Sequence, residues 1–189
     1  MATRIESGQD VVTFLVTQHR QIKQLFAEVR STTGEERQRT FTALRRLLAV
    51  HETAEEEVVH PAARRSLPGG EAIVSARLQE ENKAKKELSE LEALDPDSPE
   101  FDAQLSTFSM AVLAHAEAEE RQEFEPLAAC LDEEELARLR RTVELAERFA
   151  PTRPHPGVES QLANLVAGPF AAMVDRARDL LTAKNQSNP

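Results

Sequence analysis

The sequence has no tyrosine and no tryptophan, and only one cysteine and six glycines among its 189 residues. The absence of tyrosine excludes chemistry that needs a tyrosyl ligand or a tyrosyl radical. The single cysteine, Cys130, is interpreted as a buried, inert thiol. It cannot form an internal disulfide, so the fold does not depend on an oxidising compartment. Few glycines and little alternation of β-branched residues argue against strands, whereas the abundant Ala, Leu, Glu, Arg and Lys favour helices.

Positive charge is in deficit, and long apolar runs are missing. Lys and Arg number 23 against 33 Asp and Glu, which gives a formal net charge of −10. A chain of this charge repels phosphate backbones and anionic lipid headgroups, so we expect neither a nucleic-acid partner nor a membrane partner. No apolar run has the ~18 residues of a transmembrane helix, and the first residues lack the pattern of a signal peptide. We therefore expect a cytoplasmic protein.

Apolar residues recur every three or four positions in five segments, which is the pattern of amphipathic helices. The first segment ends at 31–34, the second spans about 35–65, the third follows the turn at 67–70 and continues to about 94, and the fourth begins at Ser98 and ends near Pro126. Pro61 should kink or loosen the last turn of the second helix. Four such helices joined by short turns predict an all-α fold, an antiparallel, up-down-up-down four-helix bundle over residues 8–130.

Residues 131–189 are predicted to form a C-terminal helical extension. A fifth amphipathic helix is expected from a cap at Asp132 to about Phe149, followed by a proline-rich linker at 151–157 and a short last helix over about 169–183. His155 lies in the linker and is interpreted as a turn residue. The alternative is that it folds back over the mouth of the bundle and shields a site there.

Polar side chains that can bind metals occupy core-facing positions on all four bundle helices. Burying such groups without partners costs several kcal/mol each. The six residues are His19 on the first helix, His51 and Glu55 on the second, Glu81 on the third, and His115 and Glu119 on the fourth. In a metal-free structural bundle, these groups would have to pair only with each other. A metal centre is the leading interpretation.

Two of the helices carry the same His-x-x-x-Glu pair. In both pairs the four-residue spacing places imidazole and carboxylate one above the other, ~5–6 Å apart at Cβ. The lone ligand of each half of the chain precedes the histidine of its pair by 32 and 34 residues, so the two halves match. Imidazole and carboxylate donors suit iron, manganese or zinc rather than calcium or magnesium. The repeat predicts two metal ions between two shared carboxylates, and a di-iron centre is the leading hypothesis.

This order of a lone ligand, an HxxxE pair, a second lone ligand and a second HxxxE pair resembles the hemerythrin-like family of HHE cation-binding proteins. The resemblance covers about residues 8–130 and implies an oxo- or hydroxo-bridged di-iron centre. The ligand set that it implies is His19 and His51 for one iron, Glu81 and His115 for the other, and Glu55 and Glu119 as bridges to both. Ferritin-like di-iron proteins carry Glu-x-x-His, whereas the order here is His-x-x-x-Glu, so that family is rejected.

The sequence departs from the family at one position, since Glu81 stands where the usual pattern has histidine. Glu80 is the alternative ligand if the register is one residue off, but the spacing from Leu78 and Leu88 selects Glu81. Another alternative is that Glu81 is a solvated carboxylate at the helix edge, paired with Lys85.

Three further polar residues lie close to the two pairs. Glu56 and Glu120 directly follow the pair carboxylates and would replace them if the register were shifted. His60 lies five residues after Glu55, about 140° around an α-helix, which is poor geometry for a ligand. We interpret it as a surface residue or as a group behind the ligands.

A third carboxylate changes the chemistry to be expected of a di-iron site. Two ferrous ions carry four positive charges, which three carboxylates reduce to one, so Glu81 stabilises Fe(III) relative to Fe(II) in a low-dielectric core. Reversible dioxygen carriage needs a durable diferrous state and is therefore disfavoured. We expect redox handling of peroxide, nitric oxide or dioxygen or, alternatively, a non-enzymatic protein that binds oxygen or nitric oxide or reports iron status. The sequence identifies neither the substrate nor the electron donor.

Overall fold

The structure of the protein is a computed structural model that describes residues 10–152. Within this range all regular structure is helical. The α-helices are α1 (Val11–Ser31), α2 (Gly34–Ala54), α3 (His60–Ser66), α4 (Gly70–Glu92), α5 (Pro99–Glu119), α6 (Glu125–Cys130) and α7 (Glu133–Phe149). Two π-helical turns, π1 (Glu55–Val59) and π2 (Glu120–Phe124), join α2 to α3 and α5 to α6 without a break. The predicted last helix and His155 lie outside the described residues.

The chain thus forms four long helices, namely α1, α2 with α3, α4, and α5 with α6, followed by α7. Their connections are short, so successive helices run antiparallel. Asp10 caps α1 by accepting a hydrogen bond from the Thr13 amide at 2.8 Å, and Ser98 caps α5 by accepting one from the Phe101 amide at 3.2 Å. Gly69, between α3 and α4, has a φ of 72°, a conformation that favours glycine. The predicted all-α bundle is confirmed.

Two apolar clusters form the core, one toward each end of the bundle. The first cluster includes Val11, Leu15, Ala54, Val59, Val74, Phe124 and Leu127. The second cluster includes Ile22, Phe26, Leu44, Leu48, Leu88, Phe101, Leu105 and Phe108. Each long helix passes from one cluster to the other through a polar stretch; α1, for example, passes from Leu15 through His19 to Ile22. A polar layer therefore lies between the two apolar clusters.

The two π-turns have a common cause in the sequence. Pro61 and Pro126 are each the second residue after a π-turn. A proline lacks the amide hydrogen, and in an α-helix its ring clashes with the carbonyl four residues earlier. Those carbonyls belong to Glu57 and Gln122, which lie inside π1 and π2. The kink or loosening expected at Pro61 thus takes the form of a widened turn just before the proline.

The extension packs on the first apolar cluster. Leu136 and Val143 of α7 are buried there, and Asp132 caps the helix as predicted, in a reciprocal arrangement with Glu135. Cys130, at the end of α6, is exposed, so its interpretation as a buried thiol is wrong. None of the described helices is long and apolar enough to cross a membrane.

We expect Leu44→Ala to lower the free energy of unfolding by about 2–5 kcal/mol, because Leu44 is fully buried in the second cluster and its truncation leaves a cavity. Leu145→Ala is the matched control, since Leu145 is 53% exposed on α7, and its effect should stay within about 0.5 kcal/mol. Urea unfolding of the metal-free protein measures both. Equal effects of the two substitutions would contradict the assignment of the core.

Candidate metal centre

The polar layer contains all six residues that the sequence marks as candidate ligands. They are His19 from α1, His51 from α2, Glu55 from π1, Glu81 from α4, and His115 and Glu119 from α5. Five of the six are buried, and the side chain of His115 is 14% exposed. The apolar periodicity of the sequence therefore correctly predicts that these positions face the core.

The six residues fall into two groups of potential ligand atoms. In one group His19, His51, Glu55 and Glu119 each offer an atom within 4.8 Å of the others, and in the other group Glu81, His115 and Glu119 do so. Glu119 belongs to both groups, as a bridging carboxylate would. Glu55, the other predicted bridge, belongs only to the first group. Either group could hold a metal ion, and the two groups adjoin each other at Glu119.

The three histidines of these groups are held in the same manner. Each ring donates a hydrogen bond from Nδ1 to a side-chain oxygen, and the acceptors are Glu120 at 2.8 Å for His19, Gln18 at 2.7 Å for His51, and Glu80 at 2.8 Å for His115. A hydrogen bond at Nδ1 fixes the tautomer whose Nε2 lone pair is free to bind a metal. The outer hydrogen bonds thus orient all three rings for coordination through Nε2.

The Nε2 atoms point at carboxylate oxygens across the polar layer. The distances are 3.5 Å from His19 to Glu119, 3.3 Å from His51 to Glu55, and 3.1 Å from His115 to Glu119. Several of the buried atoms here have no hydrogen-bond partner within the described part of the chain; they are Nε2 of His19 and His115, both carboxylate oxygens of Glu55 and Glu119, and Oε2 of Glu81. Groups of this kind stay in a core when a cation satisfies them.

The electrostatics of the metal-free cluster fit that role. Burial and the neighbouring His19 lower the pKa of His51 to about 3, so its ring is neutral at pH 7. Burial and the neighbouring Glu119 raise the pKa of Glu55 well above its usual value. Burial would also raise the pKa of Glu119, but His115 and His19 outweigh burial and hold it well below the usual range. Protons thus balance the cluster's charge where metal ions would otherwise do so.

Two further buried residues lie beside these groups, His60 and Glu123, and the sequence analysis missed Glu123. His60 is 1% exposed, so its interpretation as a surface residue is wrong, whereas the alternative of a group behind the ligands agrees with its burial. Its Nδ1 lies 2.8 Å from Oε1 of Glu123, and its Nε2 lies 2.6 Å from Oε1 of Glu81. Burial alone would lower the pKa of His60, but the two carboxylates outweigh burial and raise it well above its usual value.

The π-turn explains why helical periodicity failed at His60. The His60 amide donates to the carbonyl of Glu55, five residues earlier, so residues five apart lie on the same face of this turn. In a regular α-helix the same spacing would place His60 about 140° away from Glu55. Pro61 is the sequence signal that could have revealed this change of period. Its ring clashes with the carbonyl four residues earlier in an α-helix, and a widened turn relieves that clash.

The side chains near Glu81 also test the alternative interpretations. Glu81 is 1% exposed, whereas the Glu80 side chain is 45% exposed and accepts from His115. Lys85 pairs with Glu56 rather than with Glu81, so the interpretation of Glu81 as a solvated partner of Lys85 is wrong. Glu56 and Glu120, proposed as replacements in a shifted register, lie outside both ligand groups.

Lys85 and Glu56 form a buried ion pair at the edge of the polar layer. Burial would lower the pKa of Lys85, but Glu56 and Glu52 outweigh it and raise it. Burial raises the pKa of Glu52 to about 8, and burial together with Glu81 raises that of Glu56 to about 7. Lys85 therefore supplies the positive charge that reduces the repulsion among Glu52, Glu56 and Glu81.

Comparisons with known proteins agree with this geometry. The family model described as the hemerythrin HHE cation-binding domain matches residues 10–128. The fold is similar to the crystal structure of a hemerythrin HHE cation-binding domain-containing protein from Mycobacterium kansasii, with a TM-score of 0.67 and 22% sequence identity, over 87% of this chain and 97% of that one. At this identity the likeness is one of fold. No curated protein matches the sequence.

We expect Lys85→Met to destabilise the metal-free protein by roughly 3 kcal/mol, because it removes the cation that faces the buried Glu56. Lys83→Met is the matched control on the same helix, since the Lys83 side chain is 72% exposed, and its effect should stay within about 0.5 kcal/mol. Urea unfolding at pH 7 measures both variants. A Lys85 variant as stable as the Lys83 variant would mean that the ion pair does not form.

Proposed function

The chain belongs to the hemerythrin HHE cation-binding domain family, and from this premise we propose that its polar layer binds two iron ions. The family match confirms the resemblance found in the sequence. The proposed function is redox handling of a small species, namely peroxide, nitric oxide or dioxygen. The observation that carries the proposal is the convergence of three imidazoles and three carboxylates into two ligand groups that share Glu119.

The proposed ligand assignment uses the two groups together with the family pattern. His19 and His51 would hold one ion, Glu81 and His115 would hold the other, and Glu119, which belongs to both groups, would bridge them. Glu55 lies in the first group, and its role as a second bridge is what the family resemblance implies. The unpartnered Nε2 and carboxylate atoms support this assignment. Imidazole and carboxylate donors without a thiolate suit iron, manganese or zinc, and of these iron is the metal proposed here. When bound, the two ions supply one-electron and two-electron redox chemistry and an open position for a small molecule.

The surroundings of His115 favour a small substrate. A cavity of about 100 Å³ adjoins this ring between α2, α4 and α5, and its wall includes Ala84, Val112 and Glu52. This volume has room for a species of a few atoms, such as peroxide, nitric oxide or dioxygen.

Glu81 bears on which reaction the centre performs. Its carboxylate faces the polar layer and its Oε2 has no hydrogen-bond partner among the residues described. A third carboxylate lowers the net positive charge at the ions and so favours Fe(III) over Fe(II). Turnover of peroxide or of nitric oxide is therefore favoured over reversible carriage of dioxygen.

A sensing function is the second candidate, and a hydrogen-bond chain supports it. His51 donates to Gln18 at 2.7 Å, and Gln18 donates to Glu147 of α7 at 2.6 Å. Ligand binding or oxidation at the centre that moves the His51 ring would thus also shift α7, the helix that leads into the C-terminal segment. Reversible binding of nitric oxide or dioxygen by the diferrous protein, with no consumption of either, would support sensing instead of catalysis.

The test compares peroxide consumption by iron-loaded wild type, Glu81→Ala and Glu81→His. We expect turnover to fall by roughly 10–100-fold in both variants, because alanine removes a ligand and histidine removes a negative charge. Loss of peroxide and the visible spectrum are recorded together. Glu90→Ala, which changes an exposed carboxylate on the same helix, is the control and should match wild type. Unchanged turnover in both Glu81 variants would count against Glu81 as a ligand.

A further inference from the structure

We propose that His60 is a fourth imidazole ligand of the centre, for the ion taken by Glu81 and His115, and that Glu123 is its positioning residue. The inference rests on the proposed metal centre. It adds to that centre a histidine that belongs neither to an HxxxE pair nor to the lone ligands of the sequence pattern.

The first support is that His60 is held in the same way as the three histidines already assigned. Its Nδ1 faces a side-chain oxygen, here Oε1 of Glu123 at 2.8 Å, and its Nε2 faces a carboxylate of the polar layer, here Oε1 of Glu81 at 2.6 Å. An imidazole whose Nδ1 donates to a carboxylate is oriented and made more basic for coordination through Nε2. The same hydrogen bond at Nδ1 thus occurs on all four buried or nearly buried rings, and on His60 a cation would take the place of the hydrogen on Nε2 that now bonds Glu81.

The second support is position. His60, Glu119 and Glu123 offer atoms within 4.8 Å of one another, and Glu119 is the carboxylate that the other two groups share. His60 and Glu123 are both buried, at 1% and 0% exposure. The ring therefore lies beside the shared carboxylate and contacts Glu81, which belongs to the group that includes His115.

A closed ion pair between His60 and its two carboxylates does not account for the site. With both ring nitrogens in contact, Oε2 of Glu123 still has no hydrogen-bond partner in the part of the chain that the structure describes. The two oxygens of Glu119 lie 3.5 Å and 3.1 Å from Nε2 of His19 and of His115, without hydrogen bonds of normal geometry. The layer contains more buried acceptors than His60 can satisfy, which is what a cation beside the ring would correct.

A ligand role for His60 also makes the two halves of the centre equivalent in imidazoles. His19 and His51 serve one ion, and His60 and His115 would serve the other. Glu81, which replaces the expected lone histidine, is then an added carboxylate rather than a lost imidazole. A neutral imidazole leaves the charge contributed by the three carboxylates unchanged.

The test is a titration of metal-free protein with Zn(II), with the bound metal measured by elemental analysis. We expect wild type to bind two ions tightly and His60→Gln to bind only one ion tightly. In His60→Gln the affinity for the second ion should fall by more than the roughly 10–100-fold that loss of an outer hydrogen bond causes. Glu123→Gln is the matched variant: its amide oxygen can still accept from Nδ1 of His60, so two ions should remain, with the second weakened by less than in His60→Gln.

Two results would overturn the proposal in distinguishable ways. Two ions bound by His60→Gln with wild-type affinity would remove His60 from the ligands while the proposed centre stands. A wild type that binds no metal would remove the centre and His60 with it.

A second measurement needs no variant and so does not depend on whether His60→Gln folds. Wild type labelled with ¹⁵N at histidine and loaded with Zn(II) reports the state of each ring by NMR. Of the five histidines, we expect four to show a protonated Nδ1 and an Nε2 signal shifted by the metal. Three such rings would overturn the proposal.

Discussion

Ionisable side chains in a helical core need partners, because the free-energy cost of an unpaired buried charge is comparable to the whole free energy of unfolding of a small domain. In this chain the constraint is concentrated in one layer, where the carboxylates of Glu55 and Glu119 are fully buried and face histidine Nε2 atoms at 3.1–3.5 Å. The apolar clusters on either side keep water away and fix the helices. The helices in turn bring the imidazoles within reach of the shared carboxylate. Bound cations would neutralise the carboxylates of the layer without bringing water between the apolar clusters.

Regular helices carry five of the six candidate ligands, and the π-turns carry Glu55 and complete the layer. Residues on α1, α2 and α5 reach the centre at the three- and four-residue spacing of the α-helix. His60 and Glu123 reach it through π1 and π2, where the spacing changes. Each π-turn precedes a proline, so the sequence determines where the helix widens. The polar residues behind the ligands, Gln18, Glu80 and Glu120, hold the rings in one tautomer.

Much of the fold and part of the centre follow from the sequence. Capping residues such as Ser98 and Asp132 and the apolar spacing predict the helices that the structure has, and the spacing from Leu88 correctly places Glu81 rather than Glu80 inside. Spacing fails at His60, because it assumes the α-helical period where the chain has a π-turn. It also says nothing of the Lys85 and Glu56 pair, since charged side chains on a polar helix reveal their burial only when neighbouring helices are in place.

The most direct test of the account is the iron content of the protein after anaerobic loading with Fe(II), measured by elemental analysis together with the visible spectrum after exposure to air. The account predicts two irons per chain and charge-transfer bands in the near-ultraviolet and visible. Fewer than one ion of any transition metal per two chains, with no such bands, would contradict it and leave a helical bundle whose polar layer serves another purpose.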